Sequence, residues 1–365
     1  MKVNPAYTTK EAILELHNTP LLELMYKAAT VHRENHDPNE VQMSSLLSIK
    51  TGGCPEDCGY CPQAARYHTD VDTHKLMNVD TVIEQAKNAK ANGSSRLCMG
   101  AAWRNIRDNR DFDNVIEMVQ AVNNLDMEVC CTLGMMTDKQ AERLKNAGLF
   151  AYNHNLDTSE DYYDDIISTR EYQDRLNTIN NAKNAGISVC SGGIIGMGES
   201  VEDRIGLLLS YIKMEEPPAS IPINALVPVE GTPMEEQKPV EIWDMVRMIA
   251  TTRIVFPEAI VRLSAGRTSM SKEGQALCFM AGASSIFAGD KLLTTPNPEF
   301  NEDQELFEIL GLRPKAPFKE GSRPESKPDT IIEEKKKKAA EREKQLAEAR
   351  KNPKKAKPRR VVNVK

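Results

Sequence analysis

The sequence is poor in aromatic residues, at 5% of 365, and holds no apolar run of about 18 residues of the kind that crosses a bilayer. It lacks a phosphate-cradling G-x-x-x-x-G-K-[ST] segment and a G-x-S-x-G elbow, so nucleotide-phosphate and serine-hydrolase chemistry find no support. Its first residues, MKVNPAYTTKEAILELHNTP, have no apolar h-region, and Glu11 and Glu15 with no arginine argue against a mitochondrial transit segment. The six histidines show no metal-ligand spacing. His17, His32, His36, His68 and His74 are expected on surfaces or loops, and His154 outside its strand. Cysteine is sparse, with eight residues, all between Cys54 and Cys278. That is too few for a disulfide scaffold and suits thiol chemistry in a reducing compartment, so the cytoplasm is the expected location.

The formal net charge of -6 conceals an asymmetry. From Arg323 to Lys365 there are 16 Lys and Arg against 7 Asp and Glu, which leaves an acidic body of net charge -15 carrying a basic end. The stretch EEKKKKAAEREKQLAEARKNPKKAKPRR has almost no apolar stripe and cannot pack a core. Residues Thr330 to Arg350 read as a solvated helix and the rest of the tail as disordered. A nucleic-acid contact through this tail is the weaker reading, and a dispensable solvated extension the stronger.

Apolar content of 40% is enough for a normal core in the remainder. Short apolar runs alternate there with longer amphipathic ones. Strands are predicted at Leu46–Lys50, Ser95–Met99, Glu128–Leu133, Leu149–Leu156, Ile187–Ser191, Ser220–Leu226, Ile260–Ser264 and Ser284–Phe287. Helices are predicted at Val79–Ala91, Phe112–Asn123, Asp138–Asn146, Tyr172–Asn184, Val201–Met214, Val240–Val255 and Lys272–Met280. Gly148 and Gly186 read as helix stops, and Asp80 and Thr137 as N-caps. Eight strand–helix units with no G-x-G-x-x-G turn after the first strand predict a (β/α)8 barrel rather than a doubly wound open sheet. The expected organisation is a helical segment over 1–40, the barrel over 41–320 and the basic tail over 321–365.

What the chain does have is Cys54, Cys58 and Cys61 in TGGCPEDCGYCPQ, directly after the first strand. Three thiolates at this spacing can hold three irons of a cubane cluster and leave a fourth iron open to a small molecule. Structural zinc prefers four closed ligands, and no fourth stands nearby; zinc and a chance grouping of buried cysteines are the lesser alternatives. The C-x3-C-x2-C spacing, with aromatic Tyr60 before the last cysteine, resembles the radical S-adenosylmethionine superfamily.

Strand parity sorts the other cysteines. Alternate residues face opposite sides, and the outer face of a parallel barrel packs on helices. Leu97 and Met99, Val129 and Leu133, Ile187 and Val189, and Val261 and Leu263 should therefore face outward. That turns Cys98, Cys130, Cys190 and Arg262 into the barrel and sends Cys131 to the helix side. Three inward cysteines from three strands suggest a second iron–sulfur site. On residues alone Arg262 belongs beside it, donating to sulfide, because guanidinium stays protonated. Asn153, Asn155 and Asp157 alternate on one face and suggest ligand hydrogen bonding, with Asn224 a further inward amide. GGIIGMGE places Gly192 and Glu199 in a G-x-I-x-G-x-x-E loop after a strand.

The segments LLSIKTGGCPEDCGYCPQ, RLCMGAAWRN, YNHNLDTS, VCSGGIIGMGE, PINALVPVEGTP, VRLSAGR and CFMAGASSIFAGDKLLTTPNP together resemble the biotin synthase family over about residues 15–315. The resemblance implies a (β/α)8 barrel, a homodimer, dethiobiotin as substrate, and an electron donor such as a flavodoxin or ferredoxin. It implies a [4Fe-4S] cluster on Cys54, Cys58 and Cys61, and a [2Fe-2S] cluster on Cys98, Cys130, Cys190 and, against the reading above, Arg262. Cys131 beside Cys130 leaves that one ligand to be tested. Tyr60, Gly192 and Glu199 fall with the S-adenosylmethionine contacts. Asn155 and Asp157 match positions that bind its ribose, and Asn153 and Asn224 match positions that contact dethiobiotin. The implied reaction uses 5'-deoxyadenosyl radicals to open carbon–hydrogen bonds of dethiobiotin, with sulfur drawn from the [2Fe-2S] cluster. Hydrogenase-maturation and methylornithine-forming enzymes would share the first motif only. An electron carrier would close its cluster with a fourth cysteine.

Overall fold

The computed structural model describes residues 1–289, 291–318 and 322–351 and divides into two compact units, Met1–Ser326 and Lys327–Lys365. In the first unit, α1 (Lys10–His17) and α2 (Leu21–Asn35) precede the repeat. There follow β1 (Glu40–Lys50), α3 (Val79–Ala91), β2 (Arg96–Ala101), α4 (Arg110–Asn123), β3 (Glu128–Thr132), α5 (Asp138–Asn146), β4 (Ala151–Asn153) and α6 (Tyr172–Asn184). Then come β5 (Ser188–Cys190), β6 (Gly193–Ile195), α7 (Val201–Ile212), β7 (Ser220–Ala225), α8 (Ile242–Val255), β8 (Ile260–Leu263), α9 (Lys272–Met280) and β9 (Ser285–Phe287). A hairpin of β10 (Lys291–Leu292) and β11 (Thr295–Pro296), α10 (Phe300–Leu310) and β12 (Arg313–Pro314) close the unit. The second unit holds α11 (Thr330–Lys351); residues 352–365 of the expected disordered tail lie outside the described residues.

The strands pair in parallel in the order β1-β2-β3-β4-β5-β7-β8-β9, and β1 pairs again with β9, so the predicted eight-stranded barrel is closed. Closure abolishes sheet edges inside the ring. The fifth predicted strand is β5; beyond its predicted end a further short strand, β6, follows across Gly192, and both pair with β7. Only glycine fits there, because a Cβ would sit 2.0 Å from the Pro222 carbonyl oxygen.

Local chemistry starts and stops the helices. The Thr137 side chain accepts from the Gln140 N–H and Gln140 returns the bond, a capping box. Ser200 and Asp203 do the same for α7. Gly148 and Gly186 follow α5 and α6 with φ of +96° and +71°. The N-cap of α3 is Asn78, whose side chain accepts from Thr81; Asp80 lies in the first turn instead. His17 and His32 correct their expected surface placement, since both are buried where α1 and α2 pack on α8. His17 Nδ1 bonds Thr251 Oγ1 at 3.2 Å and His32 stacks on His36. Burial, reinforced by Arg247, lowers His17 to about 4, so it docks as a neutral ring.

From the N-terminal to the C-terminal ends of the strands, the interior runs from Gln42, Arg96 and Glu128, through Cys98, Cys130, Cys190 and Arg262, to Thr132, Asn153 and Asn224. The second group faces the end where parallel barrels keep their chemistry.

Candidate active site

The loop after β1 carries Cys54, Cys58 and Cys61 and is fixed by its own backbone and by one carboxylate. Cys54 N–H donates to the Gln63 carbonyl at 2.9 Å and Cys61 N–H to the Cys58 carbonyl at 2.9 Å. Asp57 reaches across to 168–169, accepting from Ser168 N–H at 3.0 Å and Thr169 N–H at 3.1 Å and from both hydroxyls. Burial alone would raise its pKa, but these donors win and hold it at about 2. The three thiols line one cavity of about 210 Å3 at the C-terminal mouth of the barrel. Burial pushes all three up, with Cys61 reaching about 12.

Among the described residues no three His, Cys, Asp or Glu side chains converge on a single ion. A cubane makes a different demand, since each thiolate binds its own iron and the sulfurs stay apart. The thiols fit such a group chemically: buried thiolates are costly alone and stabilised by bound cations. Three residues lining the same cavity carry buried polar atoms without hydrogen bonds, namely Glu56 Oε1, Arg170 Nε and His154 Nε2. The nearest cations to Glu56 Oε1 stand at 3.6 Å (Arg104) and 4.0 Å (Arg170). Polar side chains that lack hydrogen bonds beside a void fit a polar ligand.

Asp157 is the pivot between the loop and the barrel. It has φ of +69°, in the left-handed region that non-glycine residues seldom occupy. Its carboxylate accepts from Tyr60 Oη at 2.6 Å and pairs with Arg175, both buried. Its N–H donates to the Gly192 carbonyl, and its carbonyl accepts from Ile194 N–H at 2.8 Å. Asn155 Oδ1 accepts from Gly192 N–H at 3.0 Å and from Asn153 Nδ2 at 3.2 Å. The structure thus brings Tyr60, Asn153, Asn155 and Asp157 together, and all four line both the loop cavity and a deeper one of about 260 Å3.

Cys98, Cys130, Arg262, Asn153 and Asn224 line the deeper cavity. Cys98 and Cys130 are register partners, as are Asn153 and Cys190. Asn153 Nδ2 lies 3.3 Å from Cys190 Sγ, and Arg262 Nη1 lies 4.0 Å from the same sulfur. Arg262 is otherwise held by Ser285 at 2.9 Å, by Gln42 and Ser44 at 3.3 Å, and by the Phe287 ring beneath its guanidinium. Cys130 hydrogen-bonds Cys98 and eases its ionisation, with Arg262 and Arg96 adding to the effect; loss of a second proton is correspondingly harder. A thiol pair poised as thiol and thiolate beside two guanidiniums fits an iron–sulfur group. Cys131 is equally buried but sits on the other strand face and lines neither cavity.

Two expected contacts are placed elsewhere. Glu199 lines neither cavity; its carboxylate closes the glycine loop, accepting from Gly196 and Met197 N–H and from Arg204 at 2.8 Å. Gly192 serves through its backbone, as above. Residues not anticipated include Arg170 and Arg175, Gln63, and Leu292, Leu293 and Thr294 of the hairpin that lines the deeper cavity. His154 stacks on Tyr152, with ring centroids 6.3 Å apart, on the face that parity gave to both, and it also borders the loop cavity.

Residues 48–210 match the Radical SAM superfamily, and residues 222–313 match the Biotin and Thiamin Synthesis associated domain. A relative named biotin synthase from Christiangramia forsetii is 68% identical over 318 residues, covering 87% of this chain and 88% of that protein. Among solved structures, the FeFe-hydrogenase maturase HydG from Carboxydothermus hydrogenoformans superposes with a TM-score of 0.73 at 16% identity, covering 84% of this chain and 76% of that one. Methylornithine synthase gives 0.71 at 20%, covering 84% and 94%. At these identities the likeness to the two rivals considered from the first motif shows the fold alone.

Proposed function

The chain belongs to the biotin synthase family, whose radical S-adenosylmethionine segment implies a [4Fe-4S] cluster, S-adenosylmethionine and a reductant, and on that premise we propose how its own residues insert sulfur into dethiobiotin to form biotin. The observation that carries the reading is the stacking of two cavities, one under the Cys54–Cys61 loop and one above Cys98, Cys130 and Arg262, joined by Asn153, Asn155 and Asp157.

We assign Cys54, Cys58 and Cys61 to the [4Fe-4S] cluster, and Cys98, Cys130, Cys190 and Arg262 to a [2Fe-2S] cluster. When bound, the first supplies the electron that cleaves S-adenosylmethionine and the second supplies sulfur. Asn155 and Asp157 hold the ribose, with Tyr60 and Arg175 fixing the Asp157 carboxylate. Glu199 and Gly192 act through the backbone they shape. Asn153 and Asn224 orient dethiobiotin. Asn224 spends one amide hydrogen on the Gly193 carbonyl at 2.9 Å, which leaves the other for a ligand. The buried walls keep water from a reactive carbon radical, which is why a site with no poised general base suffices. Arg262, held by four neighbours, presents its remaining N–H edge to the sulfur layer.

We further propose a cytoplasmic homodimer served by a small electron carrier such as a flavodoxin or ferredoxin. Reduced thiols support the location: all eight cysteines are free. Among the described residues no helix is long and apolar enough to cross a membrane. The test is an anaerobic assay of reconstituted protein with S-adenosylmethionine, reductant and dethiobiotin. Biotin with about two 5'-deoxyadenosines each is the expected product ratio for two carbon–hydrogen cleavages. Deoxyadenosine without biotin or a thiolated intermediate, in protein holding both clusters, would refute the substrate reading.

A further inference from the structure

The proposed chemistry leaves one guanidinium beside the loop thiols without a role. Arg170 stands shortly before α6, its side chain only 9% exposed, and lines the loop cavity together with Cys54, Cys58 and Cys61. The cysteine loop itself fixes where it stands. Gly59 N–H donates to the Ile166 carbonyl at 2.9 Å, and Asp57 N–H donates to Thr169 Oγ1 at 3.2 Å. The Asp57 carboxylate takes the Ser168 and Thr169 amides in return. Residues 166–169 are thereby laced to 57–59, and the next side chain along, that of Arg170, is brought to a ligand sulfur. Its Nη2 lies 3.9 Å from Cys58 Sγ, in the range of a charge-assisted N–H···S contact.

One carboxylate opposes it. Glu56 is buried, and its Oε2 accepts from Thr169 Oγ1. Its Oε1 has no hydrogen bond and sits between Arg104 Nε at 3.6 Å and Arg170 Nε at 4.0 Å. Arg170 Nε has no hydrogen bond either, so neither charge is consumed by a close pair. Two guanidiniums share one carboxylate, which leaves these three groups with a positive sum beside the thiols. Guanidinium keeps its proton even when buried, and charges in a buried wall are little screened. The thiols feel both signs. Burial raises Cys54 and Cys58, while Arg170 pulls both down and Glu56 pushes both up.

We propose that Arg170 sets the reduction potential of the cluster held by Cys54, Cys58 and Cys61, raising it toward the reach of a protein reductant, and that Glu56 offsets part of this gain. The inference rests on the reading that these thiols hold a [4Fe-4S] cluster, and it names the residues that govern the cluster's reduction. The potential of such a group follows its net charge and the hydrogen bonds to its sulfurs. Reduction adds one negative charge, so a cation that donates to a ligand sulfur favours the reduced form. A purely structural role makes a different demand. Arg170 and Glu56 border the same segment, so loosening it from either side would move the potential in one direction, whereas charge moves it in opposite directions.

The experiment is an EPR-monitored redox titration of full-length reconstituted protein without S-adenosylmethionine or dethiobiotin, after Mössbauer spectroscopy has shown the [4Fe-4S] cluster present. At the potential where the wild type is half reduced, Arg170→Gln should hold about tenfold less reduced relative to oxidised cluster. That is a midpoint about 59 mV lower for one electron. Arg170→Lys keeps the charge and should recover most of the shift. Glu56→Gln should move the midpoint upward. Equal midpoints in the wild type and Arg170→Gln would overturn the proposal, as would a lysine variant as low as the glutamine one. Should Arg170→Gln take up no cluster, Glu56→Gln decides: an upward shift supports the proposal, and no shift or a downward one overturns it. A wild type with no reducible [4Fe-4S] signal would instead refute the reading of the loop thiols themselves.

Discussion

The two cysteine trios solve opposite problems. Cys54, Cys58 and Cys61 come from one loop of eight residues, so the chain itself keeps them close, and Cys54 and Cys61 remain partly open to solvent. Cys98, Cys130 and Cys190 come from three strands and are fully buried, so only barrel register keeps them close. The loop trio can tolerate movement and admit a small ligand. The strand trio is as rigid as the ladder that carries it. Local spacing therefore reveals the first site, and the second appears only when strand parity is combined with a barrel.

The sharpest way to break this contrast is at the adjacent pair on β3. Cys130→Ser should abolish the second cluster and all biotin formation, while Cys131→Ser should keep both, as read by Mössbauer spectroscopy and product analysis; the reverse result would overturn the parity argument. The next effect is on rigidity. Glu128→Leu leaves Arg96 buried without its partner and should cost about 3–5 kcal/mol in denaturant unfolding. Equivalent charge removal near the loop should cost less. Asp57→Asn loses the clamp between the loop and 168–169 and should cost about 2 kcal/mol at neutral pH. The sign follows from a carboxylate lowered from 3.8 to about 2. Its contribution is complete above about pH 4 and fades as pH falls through about 2. Hydrogen exchange of the 54–64 backbone should loosen in that window while β2 and β3 stay protected. The smallest effect is expected at the far end, where deleting 327–365 should leave turnover and unfolding unchanged.

Much of the frame is readable from the sequence because periodicity and caps are local. Val79–Ala91, Asp138–Asn146, Tyr172–Asn184 and Lys272–Met280 have the predicted bounds. What escapes depends on tertiary context. His17 and His32 look like surface residues until α8 buries them. Arg175 lies on a helix far along the chain from Tyr60, and only the fold brings both to Asp157. Glu199 sits in a recognisable motif, yet its carboxylate is consumed by that motif's own backbone. β12, two residues long, carries no strand signal at all.

The central claim is that two independent sulfur sites face one another across the cavities. It is tested most directly by counting clusters with Mössbauer spectroscopy in reconstituted wild type, Cys58→Ser and Cys190→Ser. The account predicts both cluster types in the wild type, loss of only the [4Fe-4S] signal in the first variant and of only the [2Fe-2S] signal in the second. A single cluster type in the wild type, or joint loss from either substitution in folded protein, would contradict it.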